Sequence, residues 1–203
     1  LGEVVSAAGY RQLRIAETEK YAHVTTFFNG GREEPFPGED RILVTSPTDV
    51  PAYDCRPEMS AIEVTDRLLD AIDQDAYGFI LVNYANPDML GHTGNIAACV
   101  RAIEVMDACL DRVCSLTLAR GGTLLLTSDH GNIEQLRDPE TGRPHTAHSH
   151  NPVPIIWVQQ EPRGNAIQNG GLPDVAPSLC ALLRLTPPRQ MTGRTLLQCE
   201  PPS

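Results

Sequence analysis

Three groups of side chains in this sequence have the types and spacing to do chemistry. Asp88 and His92 stand four residues apart in Asn86-Pro-Asp-Met-Leu-Gly-His-Thr-Gly94. On a helix or tight turn that spacing points both the same way. Asp129 and His130 directly follow the apolar run Leu124-Leu125-Leu126-Thr127-Ser128. His145, His148 and His150, three of the six histidines, crowd into the stretch before Asn151-Pro-Val-Pro154. Carboxylates and imidazoles without thiolate suit Mn²⁺ or Zn²⁺ better than Ca²⁺. Each group also has a plainer reading. Asp-x-x-x-His is commonly an ion pair on a helix face, Asp-His a turn with a capping carboxylate, and His-x-x-His in a loop carries little weight alone. Their combination carries more, because all three groups sit at strand ends. Open α/β sheets bind ligands beyond the carboxyl ends of their strands. Two ions about 4 Å apart clamp the attacking and leaving oxygens of a phosphoryl transfer and ease deprotonation of a nucleophilic hydroxyl. The set therefore points to phosphate-ester chemistry, with a lysine nearby to hold the phosphate.

The elements that must position these residues alternate strand and helix. Leu1 to Ala8 suits a helix end, and Gln12 to Ala16 a short strand. Tyr21, Val24, Phe27 and Phe28 recur at helical spacing before Asn29-Gly30-Gly31, although their aromatic and β-branched character suits a strand equally. Lys20 lies at that junction, where by itself it reads as a solvated lysine. Asp40 to Thr45 reads as a strand. Ser60-x-x-Glu63 is a capping box opening a helix, with Ile62, Val64, Leu68, Leu69, Ala71 and Ile72 as its apolar face. Tyr77 to Tyr84 is an apolar strand. Asn95 to Ala119 is a long helix expected to turn Ile96, Val100, Ile103, Leu110 and Val113 inward. Gly121-Gly122 leads into the Leu124 run, which reads as a buried strand of a parallel sheet. Asp138 to Gly142 is a turn. Val153 to Val158 is a strand near an edge, since Pro154 cannot donate to a ladder. Asp174 is expected to cap a last helix running to Leu185. This order predicts an α/β fold with a mostly parallel sheet and helices on both faces.

Composition narrows the function classes. At 203 residues and 41% hydrophobic, the chain is long and apolar enough for one globular domain with a sizeable core. A net charge of -10 disfavours a nucleic-acid partner, which needs clustered Lys and Arg. No apolar run approaches the ~20 residues that span a bilayer, and no signal-like start is present. Cys55, Cys99, Cys109, Cys114, Cys180 and Cys199 form no Cys-x-x-Cys pair. They read as reduced residues of a cytoplasmic protein. The first residue is Leu1 rather than methionine, so the chain reads as cut or processed at that end.

Longer stretches carry a resemblance. QLRIAETEKYAHVTTFFNGG, SPTDVPAYDCRPEMSA, NYANPDMLGHTG, TSDHGNIEQ, HTAHSHNPVP, LPDVAPSLCALL and MTGR follow one another in the order of the cofactor-independent (2,3-bisphosphoglycerate-independent) phosphoglycerate mutases. That family is a branch of the alkaline phosphatase-like superfamily. The resemblance implies two Mn²⁺ ions, with Asp88, His92 and His148 as ligands of one and Asp129 and His130 of the other. It implies that Lys20 contacts the substrate phosphate, which displaces the solvated reading. His145 and His150 are not carried over; His145 reads as a neighbour of the ligands and His150 as a loop residue. The implied activity is the interconversion of 3-phosphoglycerate and 2-phosphoglycerate, in glycolysis and gluconeogenesis, by a monomeric enzyme.

The sequence departs from the family in one respect. The family's second ion also needs an aspartate and a nucleophilic serine from an N-terminal segment, and an inserted domain supplies arginines that hold the substrate. Residues 1–203 match only the C-terminal part of the phosphatase-like domain, so no serine here is assigned as nucleophile. The isolated chain is expected to lack mutase activity and to be marginally stable or associating. Two alternatives stay open: another alkaline phosphatase-like enzyme, such as a phosphopentomutase or phosphatase, and a non-catalytic metal-binding module.

Overall fold

The computed structural model describes residues 1–161 and 164–198. Its centre is strand β1 (Gln12–Glu17), every residue of which is buried. β1 pairs in parallel with β2 (Glu39–Val44) on one side and β3 (Phe79–Asn83) on the other. Because side chains alternate along a strand, β1 serves two different faces. Ile15 packs with Val44, Val64, Leu68 and Val113, under helices α3 (Ala61–Asp73) and α5 (Ile96–Ala119). Gln12 and Arg14 face the other way. Gln12 donates to the Gly2 carbonyl in α1 (Gly2–Ala7). The fully buried Arg14 guanidinium lies 4.7 Å from the Phe28 ring centroid and 5.2 Å from that of Phe79. Burial pulls its pKa down to about 10, and the aromatic faces offset part of the cost of holding a cation there. The parallel sheet with helices on both faces is the predicted architecture.

After β1 the chain enters α2 (Thr18–Ala22) and passes without a break into a π-helical turn, His23–Phe27. The helical spacing of Tyr21, Val24 and Phe28 thus prevails over their strand propensity. Phe27 itself is 64% exposed.

Several expectations need correction. The Leu124 run forms β4 (Leu124–Thr127), which is only half-buried and pairs antiparallel with β5 (Ile155–Val158). It is not a buried member of the parallel sheet. An apolar run reports affinity for a core but not which strand it meets. On α5, Ile96, Val100 and Ile103 are exposed, at 44%, 54% and 37%. The buried stripe is Ala98, Cys99, Ala102, Val105, Cys109 and Val113. Small side chains let α5 approach α3 and α4 (Asn86–Gly91) closely, and that face wins over the bulkier one.

Ser60 precedes α3 but makes no capping bond; its hydroxyl donates to the Thr45 carbonyl instead. Ile62, assigned to the apolar face of α3, is 51% exposed. The last helix, α6, is Val175–Leu182, shorter than expected. The Asp174 carboxylate does not cap it. It accepts from the backbone N–H groups of Gly171 and Arg194, tying the 191–194 segment to the start of the helix. A short antiparallel pair, β6 (Ala166–Ile167) with β7 (Leu197–Gln198), closes this end. Cys55, Cys99, Cys109, Cys114 and Cys180 are free thiols; Cys199 lies outside the described residues. Among the described residues no helix is long and apolar enough to cross a membrane.

Candidate metal centre

β1 and β3 run parallel, so their carboxyl ends lie side by side, and each hands over to a short helix. Pro87 stands in the first turn of α4, where its missing N–H costs nothing. The Asn86 carboxamide donates to the Pro57 carbonyl at 2.8 Å, locking the start of this helix to the loop before α3. Asp88 and His92 then fall one helical turn apart, with Nε2 of His92 3.0 Å from Oδ1 of Asp88.

The third member comes from 56 residues further on. Nε2 of His148 lies 3.1 Å from Asp88 Oδ1 and 3.2 Å from His92 Nε2. The potential donor atoms of these three residues all fall within 4.8 Å of one another. Ligand atoms in neighbouring positions on an octahedral ion with bonds of about 2.1 Å stand about 3 Å apart, so the spacing fits a small divalent cation. Nδ1 of His92 faces the Thr146 carbonyl at 2.7 Å. A carbonyl only accepts, so Nδ1 carries a proton, and Nε2 is the ring atom turned toward Asp88 and His148. This is the arrangement of a metal-ligating histidine oriented by an outer partner. Gly94, at φ +67°, leaves room for that partner; a Cβ there would sit 3.1 Å from the Thr146 methyl.

Asp88 is the most confined member. Its side chain is 15% exposed and pairs through Oδ2 with the ammonium of Lys20. Burial works against the charge on Asp88, but bonds from Lys20 and Asn132 outweigh it and hold its pKa down at about 2. Lys20 itself is 8% exposed; it is not a solvated lysine. Its helix is braced by Tyr53, whose hydroxyl donates to Glu19 at 2.5 Å.

Asp129 and His130 stand beside this trio rather than in it. The His130 ring stacks on that of His148, with centroids 3.6 Å apart and planes 16° from parallel. Nε2 of His130 lies 3.6 Å from Oδ1 of Asp129, whose side chain is 62% exposed. The two loops are stitched together behind the rings. The Ser149 N–H donates to the Gly131 carbonyl at 2.8 Å. The Glu134 carboxylate accepts from Ser149, from Asn151 and from the Asn132 N–H. His145 turns to the Gln135 carbonyl, 3.2 Å away, and His150 is exposed. Neither joins the trio.

Sequence reasoning passed over Asn132 and Glu134. Both lie within the quoted TSDHGNIEQ stretch, and the position of Asn132 directly behind Asp-His-Gly was the available signal. Only the tertiary contact with Asp88 distinguishes it.

Comparison with known proteins follows this geometry. A family model described as "Metalloenzyme superfamily" matches residues 1–187. The chain is 56% identical over 198 residues to a 2,3-bisphosphoglycerate-independent phosphoglycerate mutase of Syntrophotalea carbinolica, covering 98% of this chain and 38% of that protein. It is 58% identical over 201 residues to the protein of the same name from Chloroflexus aggregans, covering 97% and 37%. Its fold is similar to the crystal structure of Leishmania mexicana phosphoglycerate mutase at low cobalt concentration. There the TM-score is 0.89 at 26% identity, over 98% of this chain and 39% of that one. The chain thus spans well under half the length of the relatives it matches.

Proposed function

We propose a function on one premise: the chain belongs to the Metalloenzyme superfamily. We read it as the C-terminal part of the phosphatase-like domain of a 2,3-bisphosphoglycerate-independent phosphoglycerate mutase. The whole protein would be an isomerase of glycolysis and gluconeogenesis. The observation that carries this reading is the convergence of Asp88, His92 and His148 beside Asp129, His130 and Lys20. Similarity to mutases over nearly the whole chain supports it.

We assign Asp88, His92 and His148 to one Mn²⁺ and Asp129 and His130 to a second. An oxygen-and-nitrogen donor set spaced at about 3 Å suits that ion. Bound there, the pair would supply Lewis-acid stabilisation of phosphoryl oxygens and activation of a hydroxyl nucleophile. In the reaction we assign, a serine oxygen bonds to phosphorus as the bond to one glycerate oxygen breaks, and the phosphoryl group then returns to the other hydroxyl. We place that serine, a further aspartate and the substrate-binding arginines in parts of the whole protein outside this chain. Lys20 is the residue of this chain that we assign to the substrate phosphate. Its ammonium is already confined at the rim, so contacting the phosphate costs little further ordering of the side chain. The acidic net charge of -10 and the free thiols support a cytoplasmic protein with a small-molecule substrate and no nucleic-acid or membrane partner; we take the whole protein to be a monomer.

The test is equilibrium dialysis of the purified chain against Mn²⁺ with metal analysis, Asp129→Ala run in parallel, and a mutase assay of the complete protein. We expect the chain to retain Mn²⁺ and Asp129→Ala to retain less. We expect the complete protein, but not residues 1–203 alone, to convert 3-phosphoglycerate. A chain that holds no Mn²⁺ sinks the metal assignment. Turnover of pentose phosphates in preference to phosphoglycerate moves the protein to a related phosphomutase.

A further inference from the structure

Asn132 is buried, at 4% exposure, between the two ligand groups. Its carboxamide nitrogen lies 2.8 Å from Asp88 Oδ1 and 3.2 Å from the Asp88 backbone carbonyl. Both partners only accept, so the amide group must face them and its oxygen must point away. Among the described residues that oxygen finds no partner, and it lies against Gly91. A Cβ at Gly91 would come within 2.6 Å of the Asn132 Cγ. Leaving a buried acceptor unpaired is unfavourable, and the two donations to Asp88 are what that arrangement secures. Asn132 also stands two residues after His130, and its N–H is held by Glu134. It is the side chain through which the Asp129–His130 loop reaches the Asp88 carboxylate.

We propose that Asn132 is a positioning residue: it orients the Asp88 carboxylate toward His92 and His148 and couples the two ligand groups, with Gly91 providing the space it occupies. This rests on the metal reading above. Asp88 Oδ1 is the oxygen shared with both histidines. With Lys20 on Oδ2 and Asn132 on Oδ1, the carboxylate plane has no freedom to rotate away from the trio.

The test is Mn²⁺ titration calorimetry on the 203-residue chain and on Asn132→Ala, Asn132→Asp, Gly91→Ala and Gly91→Ala/Asn132→Ala. A metal-free thermal melt of each shows which variants are folded. Outer partners of metal ligands are typically worth 10–100-fold in affinity. We expect Asn132→Ala to weaken Mn²⁺ binding about 10–100-fold while still melting cooperatively. Asn132→Asp keeps the shape, loses the donor and should weaken binding at least as much; it serves if the alanine variant does not fold. Gly91→Ala should weaken binding by displacing the carboxamide, and the double variant should be no weaker than Asn132→Ala. Wild-type affinity in a folded Asn132 variant overturns the proposal, and so do losses at Gly91 and Asn132 that simply multiply. If the unsubstituted chain binds no Mn²⁺, the metal reading falls and this proposal falls with it. Binding by the unsubstituted chain that Asn132→Ala leaves unchanged removes this proposal alone.

Discussion

The trio of Asp88, His92 and His148 and the pair of Asp129 and His130 share one rim, yet they are built differently. The trio is closed by contacts between distant segments, and Asp88, at 15% side-chain exposure, is fixed by Lys20, Asn132 and two imidazoles. The pair comes from two adjacent residues, and Asp129, at 62%, approaches the ring of its own neighbour at 3.6 Å. A cradle assembled from several segments is rigid because each segment is anchored elsewhere. The two consecutive residues share one loop, braced by the stack of His130 on His148 and the Ser149–Gly131 bond. The first group therefore has the preorganisation that metal binding needs, and the second depends more on what meets it.

Substitutions that separate the two groups break or sharpen this contrast. Asp88→Ala should have the largest effect, because it removes a proposed ligand and leaves the Lys20 ammonium without its carboxylate partner. Breaking one side of a buried pair typically costs about 3–5 kcal/mol. The expected outcome is loss of Mn²⁺ binding together with a clear drop in unfolding free energy by urea titration. A variant with wild-type stability would mean that the Lys20 pair contributes nothing.

His148→Ala should weaken Mn²⁺ binding about as strongly while sparing the fold. Its side chain is 48% exposed, and exposed substitutions are usually within about 0.5 kcal/mol. Calorimetry and a melt on the same sample separate the two effects. Asp129→Ala should lower the number of ions bound but leave the affinity of the tighter site within a few-fold. Equal loss at both sites would erase the distinction.

The smallest expected effect concerns the ground beneath Lys20. Glu17, at 1% exposure, ends β1 three residues earlier, and its carboxylate accepts from the Ser46 hydroxyl. Burial raises its pKa above the ordinary 4.5, against the opposing bond from Ser46. A carboxyl whose folded pKa is raised binds its proton more tightly in the folded state. Its contribution is most favourable below pH 4.5 and is lost as pH rises through the raised value. Glu17→Gln should therefore melt higher than the parent at pH 7, with the gap closing toward pH 4 in a melting series. A constant gap would assign the effect to packing instead of charge.

The legible parts of the molecule were those with a single strong local signal. Gln12 to Ala16 announced itself as a strand, one residue short of the observed Gln12–Glu17, and Asp88 and His92 as one face of a turn, because strand and helix periodicities act within a few residues. The face of α5 was misread because the chain carries two competing stripes. The bulky one, Ile96, Val100 and Ile103, satisfies the pattern, but the stripe of Ala98, Cys99 and Ala102 permits closer backbone approach. The capping box at Ser60 failed because its hydroxyl is turned to donate to the Thr45 carbonyl, a partner 15 residues away, and its backbone is not in the extended conformation of a capping residue. Similarly, the Leu124 run could not declare that Ile155–Val158 would be its neighbour.

By itself the sequence determined the order of elements, the inventory of oxygen and nitrogen donors and their placement after strands, since these depend on short-range periodicity and residue type. The tertiary structure decided which donors meet. It brought His148 rather than His145 or His150 to Asp88, and made Lys20 a buried partner of that carboxylate. It set Asn132 behind the carboxylate in the space left by Gly91. Those outcomes depend on contacts between residues more than 40 positions apart, and a local pattern carries no information about which distant segment arrives.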